Sequence, residues 1–407
     1  MNETPRDPLL PVAEALSRVV AGLEPTGSQE IPLGQASGRV LAQDLAATLT
    51  QPPFDASAMD GYAVRAADIG TLPCDLNVIG QAAAGHPFSG PVSAGEAVRI
   101  FTGAPVPDGA DTIVIQEDTE RNGDNVTVLE GANKGAFVRP KGFDFAKGDV
   151  AVRAGERLNA RDITLAAAMN CAQVSVRRRP SVAILATGDE LVPLGEKPGA
   201  GQIVSSIPHG LAAMIDAAGG EPILLGIARD TTESLGEHLE RARDADIVLT
   251  IGGASVGDHD LVQDALKAQG MTLDFWKIAM RPGKPLMFGT LDAQRVIGVP
   301  GNPVSALVCT RIFLIPMLER LLGLAQSNTR ETRVILAAPL AKNGPRQHYM
   351  RATLARDDAG RTLATPVRSQ DSSLLSPLAQ ADCLLIRAPH APAAAAGDAI
   401  PALLLDF

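Results

Sequence analysis

Aromatic residues are scarce: ten Phe, two Tyr and one Trp make up only 3% of the 407 residues. Packing must therefore rest on Ala, Val, Leu and Ile within a hydrophobic fraction of 45%. The four cysteines, Cys74, Cys171, Cys309 and Cys383, are far apart and form no CxxC. That argues against a zinc site and against a dense disulfide framework. Positive charge is not in excess. The formal net charge is −10, so the basic footprint of a nucleic-acid binder is missing. No apolar run reaches about 18 residues, so no membrane span is expected. The N-terminus, MNETPRDPLL, lacks the basic-then-apolar pattern of a signal peptide, and a reducing cytoplasm is the expected compartment. The chain has no GK[ST] phosphate loop, no GxGxxG and no internal repeat. Its six histidines (86, 209, 238, 259, 348, 390) are dispersed, and only His259 falls in a candidate loop. Nucleophilic hydrolysis through a Ser-His-Asp or Cys-His set is therefore disfavoured.

What is present is a change of texture along the chain. As a prior, 407 residues correspond to about two to four domains. Residues 10–24 place Leu10, Val12, Leu16, Val19, Val20 and Leu23 at helical spacing, and residues 38–51 read as extended. From Pro52 to about Pro140, short β-like runs (LNVIG, AVRIF, DTIVIQ, NVTVLE) alternate with turn residues, which suggests a small all-β module. Asn159 is placed to cap a helix reaching about Asn170, before a strand AQVSVRR. After RRRP (177–180) strands alternate with helices expected near 205–218, 232–244, 258–269 and 303–322. That alternation predicts βαβ units and a mostly parallel sheet. After Ser327 only short strands follow, a terminal β-domain of about 80 residues.

Three of the strands run straight into small, polar, Gly-bearing loops: VAILATGDEL (182–191), IVLTIGGASVGDHD (247–260) and VIGVPGNPVS (296–305). Parallel α/β sheets bind ligands beyond the carboxyl ends of their strands. Loops without bulky side chains let backbone N–H groups approach an anion. Asp189, Glu190, Asp258 and Asp260 in these loops suit a hard cation held between protein and phosphate. The plain alternatives are a turn at Asp189, a helix cap at Asp258 and ordinary capping by Pro303. WKIAMRPGKP (276–285) supplies Lys277, Arg281 and Lys284, a local anion clamp or else a solvated loop, and Arg346 and Arg351 add candidates. PPFDASAMDGYAVR (52–65) has no clean period of two or 3.6. It reads as an irregular functional loop or as a domain-entry linker. FTGAPVPDGAD (101–111) and RPKGFD (139–144) are similar in texture.

Taken together, these motifs resemble the molybdopterin molybdenumtransferase family. The stretches are PPFDASAMDGYAVR, RIFTGAPVPDGAD, RPKGFD, LATGDEL, SSIPHGL, IGGASVGDHD, FWKIAMRPGKP and GVPGNPVSA, in family order over roughly 34–310. The C-terminal catalytic domain of gephyrin is an animal relative. The resemblance implies a multidomain α/β plus β protein. A mixed elongated domain (1–50 and 141–178) would carry an inserted β-rich module (51–140). A molybdopterin-binding three-layer α/β domain with a mostly parallel sheet (179–326) and a C-terminal β-barrel-like domain (327–407) would follow. It also implies a homodimer whose site lies where the α/β domain of one subunit faces the inserted module of the other. Transient contacts with other proteins of molybdenum cofactor biosynthesis are implied as well. The implied reaction takes adenylylated molybdopterin and molybdate with Mg²⁺, and releases AMP.

Carried over by position, the functional residues are Asp60, Thr102, Asp144, Glu190, Asp230, Asp260, Lys277 and Arg281, with Glu190 and Asp260 as metal ligands. Substrate contacts fall on Gly188, Gly252, Gly253, Ser255, Gly257, Lys284, Pro300, Gly301, Asn302, Pro303, Ser305, Arg351 and Ser372. The chain departs from the pattern at Arg281, where lysine is common; at SQDSSLLS (369–376), where glycines usually flank the serine; and at Ala56, which replaces a common Asn. A sibling molybdopterin adenylyltransferase and a non-catalytic cofactor-binding scaffold are the alternatives.

Overall fold

The structure is a computed structural model describing residues 9–252, 261–324 and 331–405. The chain divides into two compact units, one of residues 30–37 and 43–176, the other of residues 1–29, 38–42 and 177–407.

The first unit carries a six-stranded sheet in the order Thr112–Ile115, Gly61–Val64, Glu96–Ile100, Cys74–Ala82, Asn125–Val128, Thr119–Asn122. Small apolar cores lie against it, one with Tyr62, Val64, Leu76 and Val126, another with Ala63, Val98, Ile100 and Ile113. The four β-like runs read from sequence are all strands. The strand Gly61–Val64 is a correction, because it lies inside the 52–65 stretch read as irregular. All four of its residues are buried, and a strand covered on both faces shows no polar alternation. A Cβ on Gly61 would lie 2.0 Å from the Val114 carbonyl oxygen, so glycine is required for the close pairing. Helix α2, Ala160–Ala168 (α1 being Val12–Val20), opens on a reciprocal cap. The Asn159 side chain accepts from the Arg161 and Asp162 N–H groups, and Asp162 accepts from the Asn159 N–H.

The second unit is built on a sheet ordered Glu221–Ala228, Ser181–Thr187, Ile247–Ile251, Gln294–Val299, Met287–Leu291, Thr272–Trp276. The first four strands are mutually parallel, and Met287–Leu291 runs against both its neighbours. Side chains of these strands alternate between two cores. Val182, Ile184, Ile247, Leu249, Ile297 and Val299 face one, while Ala183, Leu185, Val248 and Val296 face the other. Helices α3 (Ile207–Ala217), α6 (Pro303–Cys309) and α7 (Ile315–Leu321) cover the first face; α4 (Thr232–Glu240) and α5 (Leu261–Ala268) cover the second. This is the expected three-layer arrangement. The helix anticipated over 303–322 is interrupted by a π turn at Thr310–Leu314, just before Pro316, which has no N–H to continue α pairing.

Helix α1 buries Val12, Ala15 and Val19 in the same core as Val182, Ile247 and Leu318. It was expected within the mixed region 1–50. Its apolar stripe instead finds cover on the α/β layer, because a short amphipathic helix is stable only where that stripe is buried. Residues 331–404 form five strands, Glu331–Leu336, Gln347–Arg356, Thr362–Pro366, Cys383–Arg387 and Ala399–Leu404. Gln347–Arg356 pairs with both Thr362–Pro366 and Cys383–Arg387, so the sheet closes into a barrel around Val334, Leu336, Ala352, Leu385 and Ala402.

Candidate active site

At the carboxyl ends of the parallel strands the second unit encloses a cavity of about 380 Å³. Gly188, Glu190, Asp230, Gly252, Gly301 and Pro303 all line it. These come from the loops after four different strands, as the switch-point geometry of an open α/β sheet requires. Two of the glycines, Gly188 and Gly252, are structural necessities. Gly188 has φ +144°, and a Cβ there would lie 2.5 Å from Glu190 Oε2, so the carboxylate rests against bare backbone. Gly252 has φ +90°, and a Cβ there would come within 3.0 Å of the Thr187 carbonyl oxygen. Gly301 sits against Gly252, its would-be Cβ being 3.7 Å from the Gly252 Cα.

Three carboxylates gather at this rim. The Asp230 carboxyl is held above the ordinary aspartate value, first by burial and then by the negative charges of Asp189 and Glu190. The Asp230 N–H also points at Asp189 Oδ1, 3.4 Å away. Oxygen donors crowded against like charge favour a hard cation. Among the described residues no group of three or more His, Cys, Asp or Glu is arranged as a metal cage. A magnesium ion bound by one or two carboxylates plus substrate phosphate needs none, so the donor set fits that cation.

Asp260, Gly253, Ser255 and Gly257 lie outside the described residues. Asn302 precedes α6, Pro303 opens it, Ser305 is buried within it, and Pro300 is buried at the strand end. The Val304 N–H donates to the Ser372 carbonyl at 3.1 Å, which ties the loop of residues 369–374 to the start of α6. Arg351 is 1% exposed. Its guanidinium donates to the carbonyls of Leu374, Asp371 and Ser369 at 2.8, 2.8 and 3.1 Å. Arg351 thus shapes the Ser372 loop from inside the fold.

The basic segment is separate from this lining: Lys277, Arg281 and Lys284 do not line the cavity. Lys277 has φ +89°, and its ammonium lies 3.8 Å from the centroid of the Trp276 ring. Its turn is closed by the Ile278 N–H on the Lys284 carbonyl at 2.9 Å. Arg281 lies in a short strand paired in parallel with Gln347 and His348. His348 is buried and uncharged at neutral pH. Burial pushes its pKa down to about 4, with Arg281, Arg346, Arg351 and Arg387 adding to the effect.

In the first unit, Asp60 and Thr102 meet. Thr102 donates to Asp60 Oδ1 from its N–H and from its hydroxyl, each at 2.8 Å. These bonds, the backbone one first, hold the Asp60 carboxyl below the usual carboxylate value, and Arg99 contributes. Asp144 is exposed, with its N–H on the Gln51 carbonyl at 3.1 Å. Sequence reasoning overlooked Ser205 and Ser206, which line the cavity just before α3. The available signal was the Ser-Ser-Ile-Pro start of SSIPHGL, a hydroxyl pair at a helix beginning with proline.

Strand-end glycines, clustered carboxylates and the flanking β modules define a multidomain α/β protein with a ligand cavity at its sheet ends, and comparison with known proteins narrows the class. The MoeA N-terminal region (domains I and II) matches residues 10–170, a probable molybdopterin binding domain matches 183–320, and the MoeA C-terminal region (domain IV) matches 333–405. The molybdopterin molybdenumtransferase of Nostoc sp. is 38% identical over 94% of this chain and 90% of its own length. That of Haemophilus influenzae is 34% identical over 93% and 94%. Two structures of the molybdopterin biosynthesis MoeA protein of Pyrococcus horikoshii superpose with TM-scores of 0.86 and 0.85, at 32% and 29% identity. Each covers 98% of this chain, which spans 99% and 100% of theirs. The chain belongs to the molybdopterin molybdenumtransferase family. Among the described residues no helix is long and apolar enough to cross a membrane.

Proposed function

We propose that the protein inserts molybdenum from molybdate into adenylylated molybdopterin, with release of AMP, in the cytoplasm. The observation that carries this reading is the cavity where Glu190 and Asp230 stand beside the bare backbone of Gly188, Gly252 and Gly301. Such a site accepts a phosphate-bearing ligand closely and presents carboxylates to its counter-ion. Glu190 and Asp260 would hold magnesium, which when bound polarises a phosphoryl oxygen of the anhydride.

The protein's own groups divide the remaining work. Backbone at Gly188, Gly252 and Gly301 admits the pyrophosphate, with Gly253, Ser255 and Gly257 continuing that loop. Asn302, Pro303 and Ser305 set the start of α6 beneath it, and Arg351 with Ser372 fixes the loop against that helix. Lys277, Arg281 and Lys284 offset the charge of molybdate or of the pterin phosphate. In a homodimer, Asp60, oriented by Thr102 and backed by Asp144, completes the site from the second copy. The guanidinium of Arg281 offers a planar fork of N–H donors in place of a point charge, which suits a tetrahedral oxyanion.

Single-turnover release of AMP from adenylylated molybdopterin, with and without molybdate, tests the proposal. Release should depend on molybdate and fall by at least about 100-fold in both Asp60→Ala and Glu190→Ala. Parent rates in both variants would sink it. Incubation with ATP and metal-free pterin should yield no adenylylated product; formation of that product would favour the adenylyltransferase reading. Tight pterin binding without AMP release would favour a carrier.

A further inference from the structure

Arg99 occupies an unusual position beside the Asp60–Thr102 pair. It sits mid-strand in Glu96–Ile100, opposite Tyr62 on the adjacent strand. Its guanidinium carbon lies 5.2 Å from the Tyr62 ring centroid and 4.8 Å from that of Phe101. One terminal nitrogen donates to the Gly61 carbonyl at 3.1 Å, the other to Gln116 Oε1 at 2.7 Å. Gln116 in turn donates its backbone N–H to the Asp60 carbonyl at 3.1 Å. Every one of these contacts is to a neighbour of the pair: Gly61 and Tyr62 follow Asp60, and Phe101 precedes Thr102.

We infer that Arg99 is a positioning residue: it clamps residues 60–62 to Phe101 and Gln116 and so fixes the Asp60 carboxylate against Thr102 for the reaction. The inference rests on the functional reading of Asp60 given above. Two segments far apart in sequence must hold one carboxylate in one rotamer. Hydrogen bonds from Thr102 alone fix the oxygen they touch, not the backbone on which Asp60 stands. The guanidinium supplies what they lack. Its carbon lies over two rings while its two ends reach a carbonyl on one segment and an amide on another. Lysine cannot do this, having one nitrogen and no plane. Both Thr102 donors use Oδ1, so the clamp sets where the second oxygen, Oδ2, is aimed. The positive charge of Arg99 also favours the ionised form of Asp60.

The test uses the full-length protein and two readouts. The Thr102 amide resonance reports ionisation of Asp60 directly, because that N–H donates to the carboxylate. Arg99→Gln should raise the pH midpoint seen at Thr102, because the Arg99 charge favours the ionised carboxylate. The same variant should slow single-turnover AMP release roughly 10- to 100-fold, as expected when a reacting group is misplaced. Arg99→Lys should restore the midpoint but only part of the rate. A variant that melts lower yet keeps the parent midpoint and rate would show Arg99 to be only a fold brace and overturn the proposal. So would a raised midpoint with an unchanged rate, provided that Asp60→Ala is inactive. If Asp60→Ala releases AMP at the parent rate, the functional reading of Asp60 fails first and the role of Arg99 falls with it.

Discussion

Gly188 shows how one missing side chain can set a site. The φ of +144° strains any L residue, and a Cβ there would press on all three terminal atoms of the Glu190 side chain, at 2.5 to 2.8 Å. Gly188→Ala should therefore displace the Glu190 carboxylate more than it disturbs the fold. The expected result is a loss of AMP release approaching that of Glu190→Ala, with a stability cost of about 1–3 kcal/mol. Rapid-quench AMP release beside a thermal melt separates the two effects. At this scale the sequence was informative wherever a motif packs functional groups into consecutive positions, as in TGDEL. It singled out Arg351 as an anion candidate and substrate contact but gave no sign of its burial. Only the barrel places it under a loop with three carbonyls to satisfy.

Strands of the central sheet were legible because apolar runs, Gly-bearing exits and helical periodicity recur there in order. Gly61–Val64 was not, since burial on both faces erased the alternation that marks a half-exposed strand. Barrel closure was equally hidden. Pairing of Gln347–Arg356 with Cys383–Arg387 is a long-range match that no local pattern encodes. One unforeseen tie at the element scale joins the entrances of two central strands. Asp246 accepts from the Ser181 N–H at 2.7 Å and its hydroxyl at 2.9 Å, and takes two bonds from Arg178 at 2.9 and 2.8 Å. Burial pushes this carboxyl up, but those donors outweigh burial and leave it below the ordinary aspartate value. A depressed folded value means the tie contributes fully above the unfolded pKa and fades as pH falls through the folded one. Asp246→Ala should cost about 1–3 kcal/mol at neutral pH, and the difference from parent should shrink progressively below the ordinary carboxylate pKa, about 4. Denaturant titrations of both proteins at pH 7 and pH 3 check this. A gap that stays constant between the two would refute the role given to the ionised carboxylate.

At the scale of the whole molecule, the candidate groups belong to different compact units: Asp60 and Thr102 to one, Glu190 and Asp230 to the other. If a homodimer builds each site from the α/β domain of one copy and the β module of its partner, two inactive variants can rescue each other. In a mixed dimer of Asp60→Ala and Glu190→Ala, one site would carry both lesions and the other would be intact. Random assortment makes half the dimers mixed, so activity should recover to about a quarter of the parent value. If each copy instead supplies its own Asp60 to its own Glu190, every site in every dimer contains a lesion and nothing recovers. Differently tagged copies, exchanged and then assayed for AMP release, separate the two cases, because the tags report mixed dimers independently of activity. Confirmed exchange without recovery would discard the two-subunit site. Recovery near one quarter would also show that each site draws its candidate groups from both compact units.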